Sequence, residues 1–445
     1  MLSRFTQSLL KVFKKPKAKI LHKHQHNIQL TSISRHALNV VQDLQSKGFQ
    51  AFLVGGCVRD LLIGVKPKDF DVATNATPEQ VRNCLHNAFI IGRRFRLVHV
   101  NRGAEIIEVA TFRAKSQAKF SNNNHRILFD NAYGSLEEDA MRRDFTINSL
   151  FFDPKTRNIF DFAGGAEDLT QKQIRLIGNP KIRYLEDPVR MLRAVRFVVK
   201  LNFTLEPKTE GAIAQVAPKL QDIPPARLFD ELNKILCSGY SLPMYELLSK
   251  YNLWQQMFGS PAKYNDDLLK LALGKLDKNK ISIELVFAAL FWYWAQNYAQ
   301  QVEHDKPPIN ALSSAINYIS RQQYKTVAIP REFTVCVRYI FILQERLKVR
   351  LKRNAKIVQD PNFDLALEFL KLRGLIDVQA HNLWSWWHDF KKADTATQNN
   401  MIRELRLIEV KQNTGKSPKK RKKRKIKPQD KNATAENIAN VAVTN

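Results

Sequence analysis

Cysteine is scarce in this 445-residue chain, and the four present (Cys57, Cys84, Cys237 and Cys336) lie far apart and make no Cys-x-x-Cys pair. That spacing indicates neither a disulfide framework nor a zinc knuckle, and it fits a reducing compartment such as the cytoplasm. Long apolar runs are also missing. The most apolar late stretch, Leu285–Ala295, is about half the length needed to cross a bilayer and is flanked by Glu284 and Gln296. It reads as a buried helix of a soluble protein. No sequence repeat is present, and His388-Asp389 has no second His/Asp set from which a phosphohydrolase centre could be built. Acidic residues are few beside the basic ones: 42 Asp and Glu against 71 Lys and Arg, for a formal charge of +29. Between Lys411 and Lys427 there are ten Lys or Arg and no acid, which leaves a charge of +19 on the rest of the chain. Both tail and body therefore suit a polyanionic partner, gripped without sequence preference and with strong salt dependence. Residues 1–20 lack acids as well, and Leu9, Leu10, Val12 and Phe13 suggest one amphipathic face. A transit peptide or a peripheral membrane patch fits that leader, whereas a secretory signal would need a longer apolar core.

What the chain does hold is concentrated in the 23 residues Phe52-Leu-Val-Gly-Gly-Cys-Val-Arg-Asp-Leu-Leu-Ile-Gly-Val-Lys-Pro-Lys-Asp-Phe-Asp-Val-Ala-Thr74. Ala51–Val54 is a short apolar run that reads as a buried strand, and Gly55-Gly56 lets the chain turn without a Cβ in the way. Val58–Ile63 reads as the first turns of a helix whose free N–H groups would face a triphosphate. Arg59 is placed to add a charge-assisted contact to it. Asp69 and Asp71 stand two apart, so on a strand both carboxylates would project from one face. Hard oxygen ligands of this kind suit Mg²⁺, and a pair of such ions can serve an in-line displacement at phosphorus.

Leu53-Val-Gly-Gly-Cys-Val-Arg-Asp-Leu-Leu62 followed by Asp69-Phe-Asp71 resembles the head of the class II nucleotidyltransferases, the family of bacterial poly(A) polymerases and tRNA CCA-adding enzymes. The resemblance continues in order. Glu138-Asp-Ala-Met-Arg-Arg-Asp-Phe-Thr-Ile-Asn-Ser-Leu150 is similar to the family's ribose-recognition motif, and Asp161-Phe-Ala-Gly-Gly-Ala-Glu-Asp-Leu169 to its flexible hinge. Glu186-Asp-Pro-Val-Arg-Met-Leu-Arg-Ala-Val-Arg-Phe197 is similar to the motif that forms the incoming-base pocket. Lys66–Gln80, Gly92–His99, Glu105–Arg113, Arg175–Pro180, Asp222–Phe229 and Phe287–Tyr293 look most like the bacterial poly(A) polymerase group. One departure is Cys57, where a glycine or another small residue is expected; a thiol is small enough for the turn.

The resemblance implies a fold and a set of roles. The expected fold is an α/β nucleotidyltransferase head with a mixed β-sheet, then an all-α neck and body and a disordered basic C-terminal tail. The expected divisions are a basic flexible leader at 1–32, the head at 33–165, a neck with the base-recognition motif at 166–230, an RNA-binding body at 231–410 and the tail at 411–445. Strand-like runs are expected at Ala51–Val54, Phe70–Ala73, Leu97–Val100, Ile106–Ala110 and Ser149–Phe152, and the polar stretch Lys115–Asn124 reads as a mobile loop. Asp69 and Asp71 would hold the Mg²⁺ pair, with Asp144 favoured as the third carboxylate and Glu108 as its rival. Gly55, Gly56, Arg59 and Arg143 would serve the bound nucleotide. Arg190 would contact the base, oriented by Asp187. Asp187 also reads as an N-cap, should a helix begin at Pro188. Arg93, Arg94 and Arg96 would contact triphosphate or primer. His22-Lys-His-Gln-His26 reads as incidental, and Trp384-Ser-Trp-Trp387 as core.

The activity implied is template-independent transfer of AMP from ATP to RNA 3′ ends, in the cytoplasm, in RNA 3′-end processing and mRNA decay. RNA 3′ ends and ATP are the expected partners, beside RNA-decay proteins. The alternatives are a tRNA CCA-adding enzyme and, from another class, a non-catalytic RNA-binding protein.

Overall fold

The computed structural model describes residues 18–92, 96–114, 132–259, 265–302, 305–349 and 352–413. Its centre is one eight-stranded sheet, built from β1 (Lys19–Leu21), β2 (Ala51–Val54), β3 (Asp71–Thr74), β4 (Ala88–Ile91), β5 (Leu97–Arg102), β6 (Glu105–Thr111), β7 (Leu150–Asp153) and β8 (Asn158–Asp161). The strand order is β1-β8-β7-β2-β3-β6-β5-β4. Every neighbouring pair is antiparallel except β3 and β6, so the sheet is mixed, as expected.

Alternation along the strands divides the sheet into two faces. Leu53, Val72, Val98, Ile107 and Phe152 point into the main core, together with Val40, Val41 and Leu44 of the Arg35–Ser46 helix. Phe52, Val54, Ala73 and Phe151 point the other way into a smaller cluster with Phe112 and Ala140. The main core is continuous from Ile28 in the head to Leu372 in the body, and a second cluster surrounds Trp387. Trp387 is fully buried and donates from Nε1 to the Leu347 carbonyl at 2.7 Å, which satisfies its one polar atom. It is a core residue, as read. The body is helical throughout its described residues. Helix Ile283–Gln301 carries the apolar run, with Leu285 to Trp292 buried. Among the described residues, no helix is long and apolar enough to cross a membrane.

Three expectations need correction. The leader is not loose as far as residue 32. β1 pairs with β8, His26 bonds the Arg157 carbonyl at 2.9 Å, and Ile28 and Ile33 enter the core. Residues 19–32 therefore belong to the head, held by backbone pairing and apolar burial. The neck is not wholly helical, because Gln173–Ile174 pairs in parallel with Thr204–Leu205. The last helix, Thr395–Asn413, passes the expected boundary at 410. The rest of the tail, the leader's first 17 residues and the Lys115–Asn124 loop lie outside the described residues.

Candidate active site

Strand register sets the floor of the site. β2 is buried along its whole length, and its last residue, Val54, pairs with Asp71, the first of β3. β3 lies beside β6 with Asp71 next to Glu108, so the two carboxylates share a face and Asp69 precedes them at the strand's start. Across β5, His99 Nε2 stands 3.7 Å from Glu108 Oε2. Asp71 keeps an opening to solvent, yet its surroundings are mostly protein. That burial pushes its carboxyl up to about 6, and the charges of Glu108 and Asp69 add to the rise while Arg143 opposes it.

The turn beside this cluster needs only one of its two glycines. Gly55 has φ +78° and ψ −132°, a region open to glycine almost alone. A Cβ there would also lie 3.7 Å from Arg143 Nη1 and 3.8 Å from Asp71 Oδ2, in the space between them. Gly56 has no positive φ, and a Cβ would make only ordinary contact with Arg59. Gly55→Ala is therefore expected to cost about 1–3 kcal/mol of stability and to weaken nucleotide binding, whereas Gly56→Ala should do neither strongly. Denaturant midpoints and nucleotide titration of both variants would check this; equal effects would contradict it. Cys57 fits as anticipated: Sγ bonds the Val54 carbonyl at 3.2 Å, and burial pushes the thiol up to about 12, so it is inert.

Two of the expected phosphate contacts differ in character. Arg143 reaches the space beside Gly55, held by Asp139 through bonds of 3.0 and 2.8 Å and lying over the Phe151 ring at 5.1 Å. Arg59 is 5% exposed and fully engaged inside: Nη1 donates to Asn148 at 2.7 Å, Nε to Asp60 at 2.8 Å, and the guanidinium lies 5.3 Å from the Phe197 ring centre. In this arrangement Arg59 braces the turn from behind.

Asp144 sits in a similar internal network. Arg193 donates to Oδ2 from Nε at 2.8 Å, with Nη2 at 2.7 Å, and the Phe145 N–H and Asn148 amide donate to Oδ1. Burial would raise its pKa, but the Arg193 charge and these bonds outweigh burial and hold it below the ordinary value. Between the two rival carboxylates, the structure brings Glu108 to Asp71 and ties Asp144 to the neck.

The segment expected to recognise the base is folded with pairings other than those expected. The first of its helices is Pro180–Glu186 and the second Val189–Leu201, with Pro188 as N-cap; Asp187 ends the first helix and does not cap the second. Arg190 Nη1 donates to the Arg183 carbonyl at 2.6 Å and to Glu186 at 3.1 Å. The Asp187 carboxylate instead takes Arg227 Nη2 at 2.7 Å, so Glu186 orients Arg190 and Asp187 does not. Asp187 Oδ1 is buried without a hydrogen-bond partner. Arg96 pairs with Glu79, while Arg93 and Arg94 lie outside the described residues.

Sequence reasoning passed over several partners. Asp139 was findable, since it stands four residues before Arg143 on one helix face. Asn148 and Arg227 meet Arg59 and Asp187 from far along the chain, within the head and within the neck, whereas Arg183 and Phe197 reach from the neck to the head. Arg183 ties the two by donating to the carbonyls of Arg142 and Arg143 at 2.7 and 2.6 Å.

Known proteins resemble this chain in sequence and fold. The chain matches the Poly A polymerase head domain over residues 51–175, a probable RNA and SrmB-binding site of polymerase A over 202–263, and the polymerase A arginine-rich C-terminus over 304–427. It is 41% identical to a poly(A) polymerase I of Salmonella typhi over 429 residues, covering 91% of this chain and 92% of that one. A CCA-adding enzyme of Geobacillus stearothermophilus is 37% identical over 219 residues, covering 49% of this chain and 53% of that one. Among solved structures, the CCA-adding enzyme of Bacillus stearothermophilus in complex with CTP is 26% identical with a TM-score of 0.56, covering 84% of this chain and 82% of that one. The mixed-sheet head, its carboxylate register and a likeness that runs nearly the whole length agree: this chain belongs to the poly(A) polymerase I family of nucleotidyltransferases.

Proposed function

We propose that this protein extends RNA 3′ ends without a template, joining AMP from ATP to the terminal hydroxyl and releasing pyrophosphate. The observation that carries the reading is the Asp71–Glu108 register, with Asp69 at its edge and Arg143 opposite. Burial and the neighbouring Glu108 and Asp69 together lift Asp71, and a cation set among these carboxylates would relieve that crowding; their oxygens suit Mg²⁺. Among the described residues no three His, Cys, Asp or Glu side chains form a preformed metal cage. Mg²⁺ takes a few carboxylates and completes its shell with substrate phosphates and water. Asp69, Asp71 and Glu108 would hold the pair of ions, which when bound supply charge neutralisation at the reacting phosphate and a more acidic attacking hydroxyl.

The remaining roles follow from the residues. Gly55 leaves room for a phosphate against the backbone, and Arg143 offers its guanidinium there. Asp144 positions the neck through Arg193. Asp187 Oδ1, an acceptor without a donor, fits the exocyclic amino group of a bound base, and Arg190 is held rigid beside it. Adenine and cytosine both carry such an amino group, so this contact alone does not choose between them. No covalent intermediate on the protein is required, because positioning and charge carry phosphoryl-group transfer.

The extent of sequence likeness favours this reading over CCA addition. The CCA-adding relative matches about half of the chain, whereas likeness to the poly(A) polymerase continues through the body to the basic tail. The test is an extension assay with Mg²⁺, a generic short RNA or a tRNA without its CCA end, and each nucleotide alone or ATP with CTP. Long ATP-dependent tails on the generic RNA are expected, weakened steeply as salt rises. Addition of only C-C-A to tRNA would overturn the reading in favour of the alternative, and salt-sensitive RNA binding without incorporation would point to the binding protein.

A further inference from the structure

Among the described residues, the face of the sheet that carries Asp71 and Glu108 is covered over one half and open over the other. Phe52, Phe151 and Phe160 of β2, β7 and β8 are packed beneath Ala140 and Phe112. On the far side, β4, β5 and β6 leave Phe89 54%, Ile91 45% and Ile106 55% exposed. Phe89 and Ile91 are neighbours on one face of β4, with Ile106 on that face two strands away, and large apolar side chains left at such exposure mark a surface with an occupant.

Register joins this open half to the carboxylates. Phe89 pairs with His99, His99 with Glu108, and Glu108 with Asp71. The four residues form one unbroken row across four strands, about 14 Å from end to end at the usual strand spacing. In-line displacement then fixes what belongs there. The attacking hydroxyl and the departing pyrophosphate must lie on opposite sides of the reacting phosphate. Gly55 and Arg143 claim the β2 side for the phosphates, so the hydroxyl approaches from the β6 side.

We infer that the open face of β4–β6 is the platform for the 3′-terminal bases of the RNA primer, with Phe89 as the stacking surface. The inference rests on the adenylyltransferase reading. Every base presents a π face, so an aromatic ring holds a growing homopolymer and an arbitrary first RNA equally well. Ile91 extends the apolar surface along β4 beside the ring, and Ile106 lies two strands away on the same face, beyond Asn101.

The experiment compares wild type, Phe89→Ala and Phe89→Trp, using an RNA whose 3′-terminal base is 2-aminopurine. Wild type and Phe89→Trp are expected to quench the fluorescent base on binding, and Phe89→Ala to lose the quench. In extension assays Phe89→Ala should raise the primer KM about tenfold with the KM for ATP unchanged, and tryptophan should restore it. An alanine variant with unaltered primer KM and quench overturns the platform, as does one that changes only self-association. Should wild type add no nucleotide, the catalytic reading falls, while the quench comparison still decides the platform.

Discussion

Asp71→Asn is expected to lower AMP incorporation by at least about a thousandfold and, at the same time, to raise the melting temperature of the metal-free protein. The two effects come from one cause. Asp71 is the carboxylate that burial, Glu108 and Asp69 together push up to about 6, so its ionised form opposes folding. A raised folded-state pKa contributes stability that is complete below the ordinary value of 3.8 and is lost as pH rises through about 6. In chelator, wild type should lose thermal stability between pH 4 and pH 7 relative to Asp71→Asn, which has no charge to place there. Magnesium should then stabilise wild type and leave the variant nearly unchanged, since binding to the native state alone shifts the melting point. Melting curves at pH 5 and pH 8, with and without Mg²⁺, test each part. A variant that melts below wild type at pH 8 in chelator would show that the carboxylates are not crowded as described.

Removing Asp144 should act in the opposite sense. Arg193 stands in a mostly protein environment with that carboxylate as its hydrogen-bonded partner, and Asp144→Ala would leave the guanidinium uncompensated. Breaking one side of such a pair costs about 3–5 kcal/mol, a large share of a domain's stability. Activity should fall with it, through a loosened head and neck and without any loss of Mg²⁺-dependent stabilisation in the fraction that remains folded. Glu108→Gln supplies the contrast: it should retain the fold, lose activity and lose the Mg²⁺ effect. The pH sign also differs from that of Asp71. A depressed folded-state pKa gives stability that is present above the ordinary 3.8 and is lost as pH falls below it. The gap in melting temperature between wild type and Asp144→Asn should therefore be wide at pH 7 and narrow in acid. A full-sized Mg²⁺ shift in Glu108→Gln, lost instead in Asp144→Ala, would reverse the two roles.

The parts legible in the sequence were those whose signal is local. Ala51–Val54 declares a buried strand by its unbroken apolar run, and the structure has that strand with the same limits. The strands expected near residues 70, 97, 106 and 149 are present within a residue or two at most ends. β1 and β8 were missed because Lys19-Ile-Leu21 and Asn158-Ile-Phe-Asp161 each hold only two apolar residues, whereas β4, Ala88-Phe-Ile-Ile91, is an apolar run that was passed over. Side-chain partners failed for a related reason. Asp187 sits three residues from Arg190, yet its carboxylate turns to Arg227 on another helix, which a linear reading cannot weigh. Arg59 looked like a phosphate ligand from its place after the glycines. Only Phe197 and Asn148, distant in the chain, reveal that it faces inward.

β1 has a consequence for how the molecule comes together. The strand at the chain's beginning has one partner in the sheet, β8, which ends at Asp161. On the ribosome, Lys19–Leu21 must wait while the whole head is synthesised before its hydrogen bonds can close. Such distant pairings are slow to form, because the loop entropy is lost before any contact repays it. Until then the outer edge of β8 is an open template for another chain, the hazard that edge strands pose in any sheet. Trimming the start of the protein past Leu21 would make that transient edge permanent, so the shortened chain should aggregate through β8.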